Sequence, residues 1–317
     1  MMKKLTGIWL SLLLVIGVLA GCAGAETDQK TNSSKPKETA AAAFPVSIKD
    51  AAGKTVEIKE QPKRIVSLIP SNTEVAYALG LGDKIVGRSD FDNYPKEVEK
   101  VEKIGGLDFN VEKVISLKPD LVLAHASQMS SKDGFKQLED AGIQVLTVND
   151  AASFKDVYKS IHMIGEAAGV KEASTKLVDE MKSKLNDIKK QAESISKDKQ
   201  KTVFVEVSGA PEIYTTGKQT FMDEMLSVIH AKNAAGDQTG WVQMTEESII
   251  KRNPDAIVTI DGASLADLKK RDGWKAIKAV KEKQVFQLNT DLASRPGPRL
   301  VEGVEALAKS IYPDTFK

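Results

Sequence analysis

The chain has 317 residues, 41% hydrophobic and 28% charged, a size for about two domains of soluble composition rather than a disordered or multispan membrane protein. Lys and Arg number 45 against 44 Asp and Glu, so no basic surplus points to nucleic acid. One Cys excludes an internal disulfide framework, and the three His, at 125, 162 and 230, are too scattered for a local metal-ligand pattern, so no metal site is expected.

Lys3 and Lys4 precede an uncharged run from Ile8 to Ala20, the length of a signal-peptide core and short of the ~20 apolar residues a spanning helix needs. The run ends in Leu19-Ala20-Gly21-Cys22, which resembles the lipobox of bacterial lipoproteins. That resemblance implies cleavage before Cys22, acylation of its sulfur and new amino group, and anchorage on the outer face of the cytoplasmic membrane. The alternative is a conventional signal followed by an incidental Cys. Residues 23–43 hold no aromatic residue and no Val, Ile, Leu or Met, so they bury too little to offset ordering entropy and read as a tether. The expected organisation is a signal peptide at 1–21, lipidated Cys and tether at 22–43, and a fold that begins near Phe44.

Beyond the tether, VSIKDAAGKTVEI at 46–58 predicts a hairpin, and RIVSLI at 64–69 a strand that leads through Pro70 into the helix SNTEVAYALG. Ser71 and Glu74 have the S-x-x-E spacing of a capping box. KIVGRS, LVLAH and QVLTV follow as strands, with a helical pattern at Lys132 to Asp140. Leu177, Met181, Leu185, Ile188, Ala192 and Ile195 then form one apolar stripe, predicting a helix from Lys171 to Lys197 that joins two lobes. The alternative is a surface helix within one domain. TVFVEV at 202, AIVTI at 256 and QVFQL at 284 complete a second series of strands. This alternation predicts an α/β fold of two Rossmann-like lobes with mainly parallel sheets. The boundaries are an N-terminal lobe at 44–152, a helical connector at 153–200 and a C-terminal lobe at 201–317.

The two series read as copies. Asn110-Val-Glu112-Lys-Val-Ile-Ser-Leu-Lys-Pro119-Asp120 matches Thr245-Glu-Glu247-Ser-Ile-Ile-Lys-Arg-Asn-Pro254-Asp255 at an offset of 135. Each reads as helix cap, short helix, Pro-Asp turn and buried strand. A cleft between duplicated lobes is a ligand-binding architecture.

Taken in order, RIVSLIPSNTEVAYALGLGDKIVG, VEKVISLKPDLVLA, the long helix, EIYTTGKQTF and SRPGPRLVEGVEALA resemble the class III solute receptors of ABC importers, most of all the cobalamin receptors. The resemblance implies a monomeric, lipid-anchored receptor that carries cobalamin as transported ligand and uses no cofactor. It places Pro70 and Ser71 at the first strand-to-helix turn against the corrinoid, Phe91, Tyr214 and Trp241 at aromatic cleft positions, and Asp291 and Arg295 facing amide groups on the ring edge. Gly106 and His125 stand where the cobalamin receptors have tryptophans. Haem and ferric siderophores are the alternative ligands. Glu112 and Glu247 match the acidic pair that meets arginines on the importer's membrane subunits; each also falls just after an N-cap, where a carboxylate complements the helix dipole.

Three other classes compete. For an enzyme, the Walker loop, GxGxxG, GxSxG and HExxH motifs are all absent, and no catalysis is expected. A receptor for bare metal ions would have to rely mostly on carboxylates. A structural lipoprotein would need no ligand.

Overall fold

In the computed structural model of the protein, residues 44–317 are described. The predicted signal peptide, Cys22 and the tether lie outside them.

The hairpin at 46–58 forms from β1 (Val46–Lys49) and β2 (Thr55–Ile58), paired antiparallel with Val46 opposite Ile58. Next come β3 (Ile65–Ser67), β4 (Ile85–Arg88), β5 (Glu102–Lys103), β6 (Leu121–His125) and β7 (Gln144–Val148). They form a parallel sheet in the order β5-β4-β3-β6-β7. The second half supplies β8 (Thr202–Glu206), β9 (Tyr214–Thr216), β10 (Lys232–Asn233), β11 (Trp241–Gln243), β12 (Ala256–Thr259) and β13 (Val285–Gln287). Here β10-β8-β12-β13 make a second parallel sheet, while β9 and β11 pair as a separate antiparallel ribbon.

The order β4-β3-β6-β7 is repeated as β10-β8-β12-β13, so the duplication read in the sequence is a duplication of topology. The repeated motif behaves alike in both copies. The side chain of Asn110 accepts from the Lys113 N–H, and that of Thr245 from the Ser248 N–H, so each short helix has its N-cap. Lys118 and Asn253, again 135 apart, both turn the chain in the left-handed region, at φ 48° and 46°. Asp120 then accepts from the backbone N–H groups of Lys63 and Arg64, and Asp255 from that of Thr202, which ties each Pro-Asp turn to the start of its neighbouring strand.

Every strand of both sheet centres is buried on two faces, which is why these runs are continuously apolar. Leu121 and Leu123 point to one core, Val122 and Ala124 to another. In the second half Val203 and Val205 join the same cluster as Leu121 and Leu123, with Phe204 on the far side around Trp274. One apolar core therefore runs from the first sheet through a helical layer to the second. That layer contains the helices Phe154–Ala167, Lys171–Ala192 and Leu300–Ile311.

Two sequence expectations are corrected. The long helix ends at Ala192 rather than Lys197. Its last turn tightens to i→i−3 bonds, Ser194 N–H to Gln191 and Ile195 N–H to Ala192, and the Ser194 hydroxyl donates to the Gln191 carbonyl, a local bond that competes with helix. Ile195 stays buried past the helix end, so the stripe outlasts the helix. The connector also holds a second helix, Phe154–Ala167, and the two approach so closely that a Cβ on Gly165 would lie 2.5 Å from that of Ser174. The capping box at Ser71 and Glu74 does not form. Pro70 occupies the first helical position of Pro70–Ala78, where its fixed φ suits a helix start. This makes Ile69 the N-cap, sets Ser71 and Glu74 inside the helix, and leaves the Glu74 carboxylate for other partners.

Candidate functional site

The loops that follow the C-terminal ends of β3, β4 and β6 carry Pro70, Ser71, Phe91 and the segment after His125. The second half brings the β9–β11 ribbon and the helix Thr290–Ser294. This is where open parallel sheets place ligands.

The predicted residues divide by exposure. Phe91 is 57% exposed, Trp241 49% and Tyr214 37%, among the few large apolar side chains left open to solvent. Register places Trp241 opposite Thr216 and Gln243 opposite Tyr214, so alternation sets both aromatics on one face of the ribbon. Trp241 is braced from behind by Phe221, ring centroids 5.7 Å apart and edge-on. Pro70 and Ser71 are buried in the first helical turn, with the Pro296-Gly297 segment of the second half lying close over Ser71.

Gly106 is the seat of Phe91. A Cβ there would stand 3.2 Å and 3.3 Å from two atoms at the edge of the Phe91 ring, so a tryptophan at 106 would displace it. Beside it Leu107 is 63% exposed, an apolar cleft candidate that sequence reasoning missed because its neighbour drew attention only as an absence.

His125 is buried, at 5% exposure, with Nδ1 held by the hydroxyl and backbone N–H of Ser127. Burial pushes its pKa below the ordinary 6.5, against the opposing pull of Asp150. No hydrogen bond links it to the other predicted residues.

Asp291 and Arg295 are drawn into a network that sequence reasoning did not find. Arg295 donates to Glu74 Oε1 at 2.9 Å, Asn93 Oδ1 at 2.7 Å and the Phe91 carbonyl at 3.2 Å, and pairs with Asp291 at 2.8 Å. Asn93 closes the ring by donating to Asp291. Arg299 adds two bonds to Glu74, from Nε at 2.9 Å and Nη2 at 2.6 Å, and its guanidinium lies 3.8 Å from the Tyr94 ring centroid. The Glu74 side chain is 2% exposed, so removing one partner of such a pair would cost about 3–5 kcal/mol. In the sequence Arg295 and Arg299 stand four apart just ahead of the last helix, but nothing local names Glu74 as their partner.

Glu112 and Glu247 are exposed, second in their helices, and neither engages in an ion pair among the described residues. A cavity of about 310 Å³ borders this network, lined by Glu74, Tyr77, Tyr94, Met181 and Arg299; none of the predicted ligand residues lines it.

Comparison with known proteins fits this arrangement. An uncharacterized ABC transporter substrate-binding lipoprotein of Bacillus subtilis (strain 168) is 63% identical over 317 residues, all of both chains. The crystal structure of a possible iron-binding, periplasmic solute-binding protein from Staphylococcus epidermidis has 42% identity and a TM-score of 0.73, covering 80% of this chain and all of that one. The periplasmic vitamin B12-binding protein of Vibrio cholerae has 25% identity and a TM-score of 0.67, over 81% of this chain and 99% of that one. With two like-ordered parallel sheets, a shared helical layer and residues 65–292 matching the model described as periplasmic binding protein, the chain belongs to the periplasmic binding protein family.

Proposed function

We propose that this protein is the extracytoplasmic, lipid-anchored solute receptor of an ABC importer, and that its solute is cobalamin. The importer role is supported by the Bacillus subtilis relative, which is named an ABC transporter substrate-binding lipoprotein. On this reading residues 1–21 are removed, Cys22 carries the lipid, and 22–43 tether two lobes, 44–152 and 201–317, joined by a connector at 153–200. The protein binds and delivers its solute without turning it over. Glu112 and Glu247 meet the membrane subunits.

The observation that carries the ligand is the charge balance beside the aromatic faces. Phe91, Tyr214 and Trp241 offer stacking surface for a large flat macrocycle. Arg295, the one cation among the predicted cleft residues, is already matched by Glu74 and Asp291. Haem carries two propionates and ferric siderophores are commonly anionic, whereas the corrin edge is ringed by neutral amides. A compensated arginine suits the neutral edge, since an anionic ligand would have to displace a buried carboxylate. His125, buried and turned to Ser127, offers no open imidazole to a metal.

Haem or a ferric siderophore is the second reading, favoured by the likeness to the possible iron-binding protein of Staphylococcus epidermidis. Calorimetric titration of the purified protein with cobalamin, haem and ferric siderophores in turn separates them, with visible spectra recorded after removal of free ligand. Saturable cobalamin binding at one site supports the proposal. Tight haem or siderophore binding with no heat from cobalamin overturns the ligand and leaves the receptor role.

A further inference from the structure

We infer that Glu74 is the positioning residue of the cleft, fixing Arg295 and Arg299 across the gap between the halves and, through them, the loop that presents Phe91. The inference rests on the proposed reading that this cleft takes the solute.

Glu74 sits on the first helix of the first half, whereas Arg295 and Arg299 lie in the segment that leads into the last helix, 221 and 225 residues away. Among the described ion pairs, only those of Glu74 join the two halves. Its two oxygens receive three N–H donors from two guanidiniums in a site nearly closed to water, the setting in which charge-assisted bonds hold geometry best. Both arginines then act on the same loop. Arg295 holds the Phe91 carbonyl and the Asn93 side chain, and Arg299 lies over Tyr94. Arg295 has five N–H groups, and four acceptors, on Glu74, Asn93, Phe91 and Asp291, draw on them. It therefore works chiefly as a strap between the lobes, with little donor capacity left for a solute. Two carboxylates, Glu74 and Asp291, balance the two arginines, so the strap brings no net charge to the cleft edge. What it fixes is the place of the Phe91 ring on Gly106.

The test uses Glu74→Gln, which keeps the shape and removes the charge, and Glu74→Asp, which keeps the charge on a shorter arm. Leu185→Ala, on the buried face of the helical layer, serves as a control of lowered stability. Two readouts are taken: hydrogen exchange of residues 89–95 in the ligand-free protein, and cobalamin affinity by calorimetry. The Phe91 and Asp92 amides are hydrogen-bonded to Ser89 and report on the loop directly. Glu74→Gln should speed exchange in this segment at least tenfold beyond Leu185→Ala and weaken cobalamin binding at least tenfold, with Glu74→Asp restoring part of both. Exchange in Glu74→Gln no faster than in Leu185→Ala overturns the inference. So does faster exchange with affinity within twofold of the unmodified protein. If the unmodified protein takes up no cobalamin, the ligand proposal fails and the exchange comparison alone decides the role of Glu74. Should Glu74→Gln not fold, Glu74→Asp and Arg299→Lys carry the same two measurements.

Discussion

Replacing Trp241 with Ala tests the cleft where its geometry is most explicit. A tryptophan side chain offers ~250 Å². About half of Trp241 is open, at 49% exposure, while the rest is braced on Phe221. If a corrin face covers the ~120 Å² that is open, its burial is worth ~3 kcal/mol at ~25 cal/mol per Å², and half coverage ~1.5 kcal/mol. The affinity loss should fall between about tenfold and about 150-fold. The fold should lose less, ~1–2 kcal/mol, since the edge-on pair with Phe221 contributes ~0.5–1.5 kcal/mol and only part of the ring is buried. Calorimetric titration with cobalamin, beside thermal unfolding by circular dichroism, reads both quantities. Trp241→Phe keeps a smaller aromatic face and should lose less than Ala. Affinity within twofold of the unmodified protein in a folded Trp241→Ala variant would show that this ring does not meet the solute, and the stacking argument would fail with it.

Glu112→Lys combined with Glu247→Lys should abolish uptake by whole cells while leaving calorimetric affinity unchanged, because both carboxylates are exposed at the starts of short helices. Lost ligand binding in the purified double variant would remove the docking assignment. Cys22→Ala should leave the protein unprocessed or release it from the membrane fraction, and unchanged processing and attachment would end the lipoprotein reading. The core shared by both sheets should hold lobe closure to a small motion, so solution scattering should show no large fall in radius of gyration on adding ligand. His125 gives a pH test: its folded pKa is depressed by burial, so its stabilising contribution is full above pH 6.5 and fades as pH falls through the lower folded value. His125→Gln should flatten that part of the stability profile in urea unfolding between about pH 7 and 5, and an unchanged slope would contradict the assignment.

Much of the scaffold was legible because it is locally encoded. QVLTV and LVLAH are apolar at every position since both faces of their strands are covered, and the repeated Pro-Asp turns announce themselves through caps and spacing. The two-residue strands β5 and β10 were not legible: strands that short exist by virtue of their partners, not of any period in their own residues. The stripe through Ile195 recorded burial correctly but not helix, because periodicity reports which side faces the core and says little of where hydrogen bonding changes. At the site, Phe91, Tyr214 and Trp241 stand open to solvent. The partner of Arg295 was beyond reach. Its carboxylate lies 221 residues away, in a motif whose sequence fits a helix cap equally well, and only the three-dimensional position of Pro70 separates the two uses.

The two halves keep their likeness in some places and lose it in others, and the division has a physical basis. Glu112 and Glu247 sit second in equivalent helices with equivalent caps, as the proposed docking to two similar subunits would require. At the strand ends the halves diverge. Glu206, the last residue of β8, is fully buried and paired with Arg271, which in turn lies 4.5 Å from the Trp274 ring centroid. The first half has Leu68 at the corresponding place, 138 residues earlier, and has a buried carboxylate one turn into the following helix, at Glu74. On the proposed reading, a solute lacking two-fold symmetry has no use for matched strand ends, whereas docking to two similar subunits would keep the capped helices alike. The asymmetry leaves one half with a carboxylate satisfied within itself and the other with a carboxylate satisfied only from across the gap. Only the second kind of pair can couple the spacing of the lobes to the loop that carries Phe91.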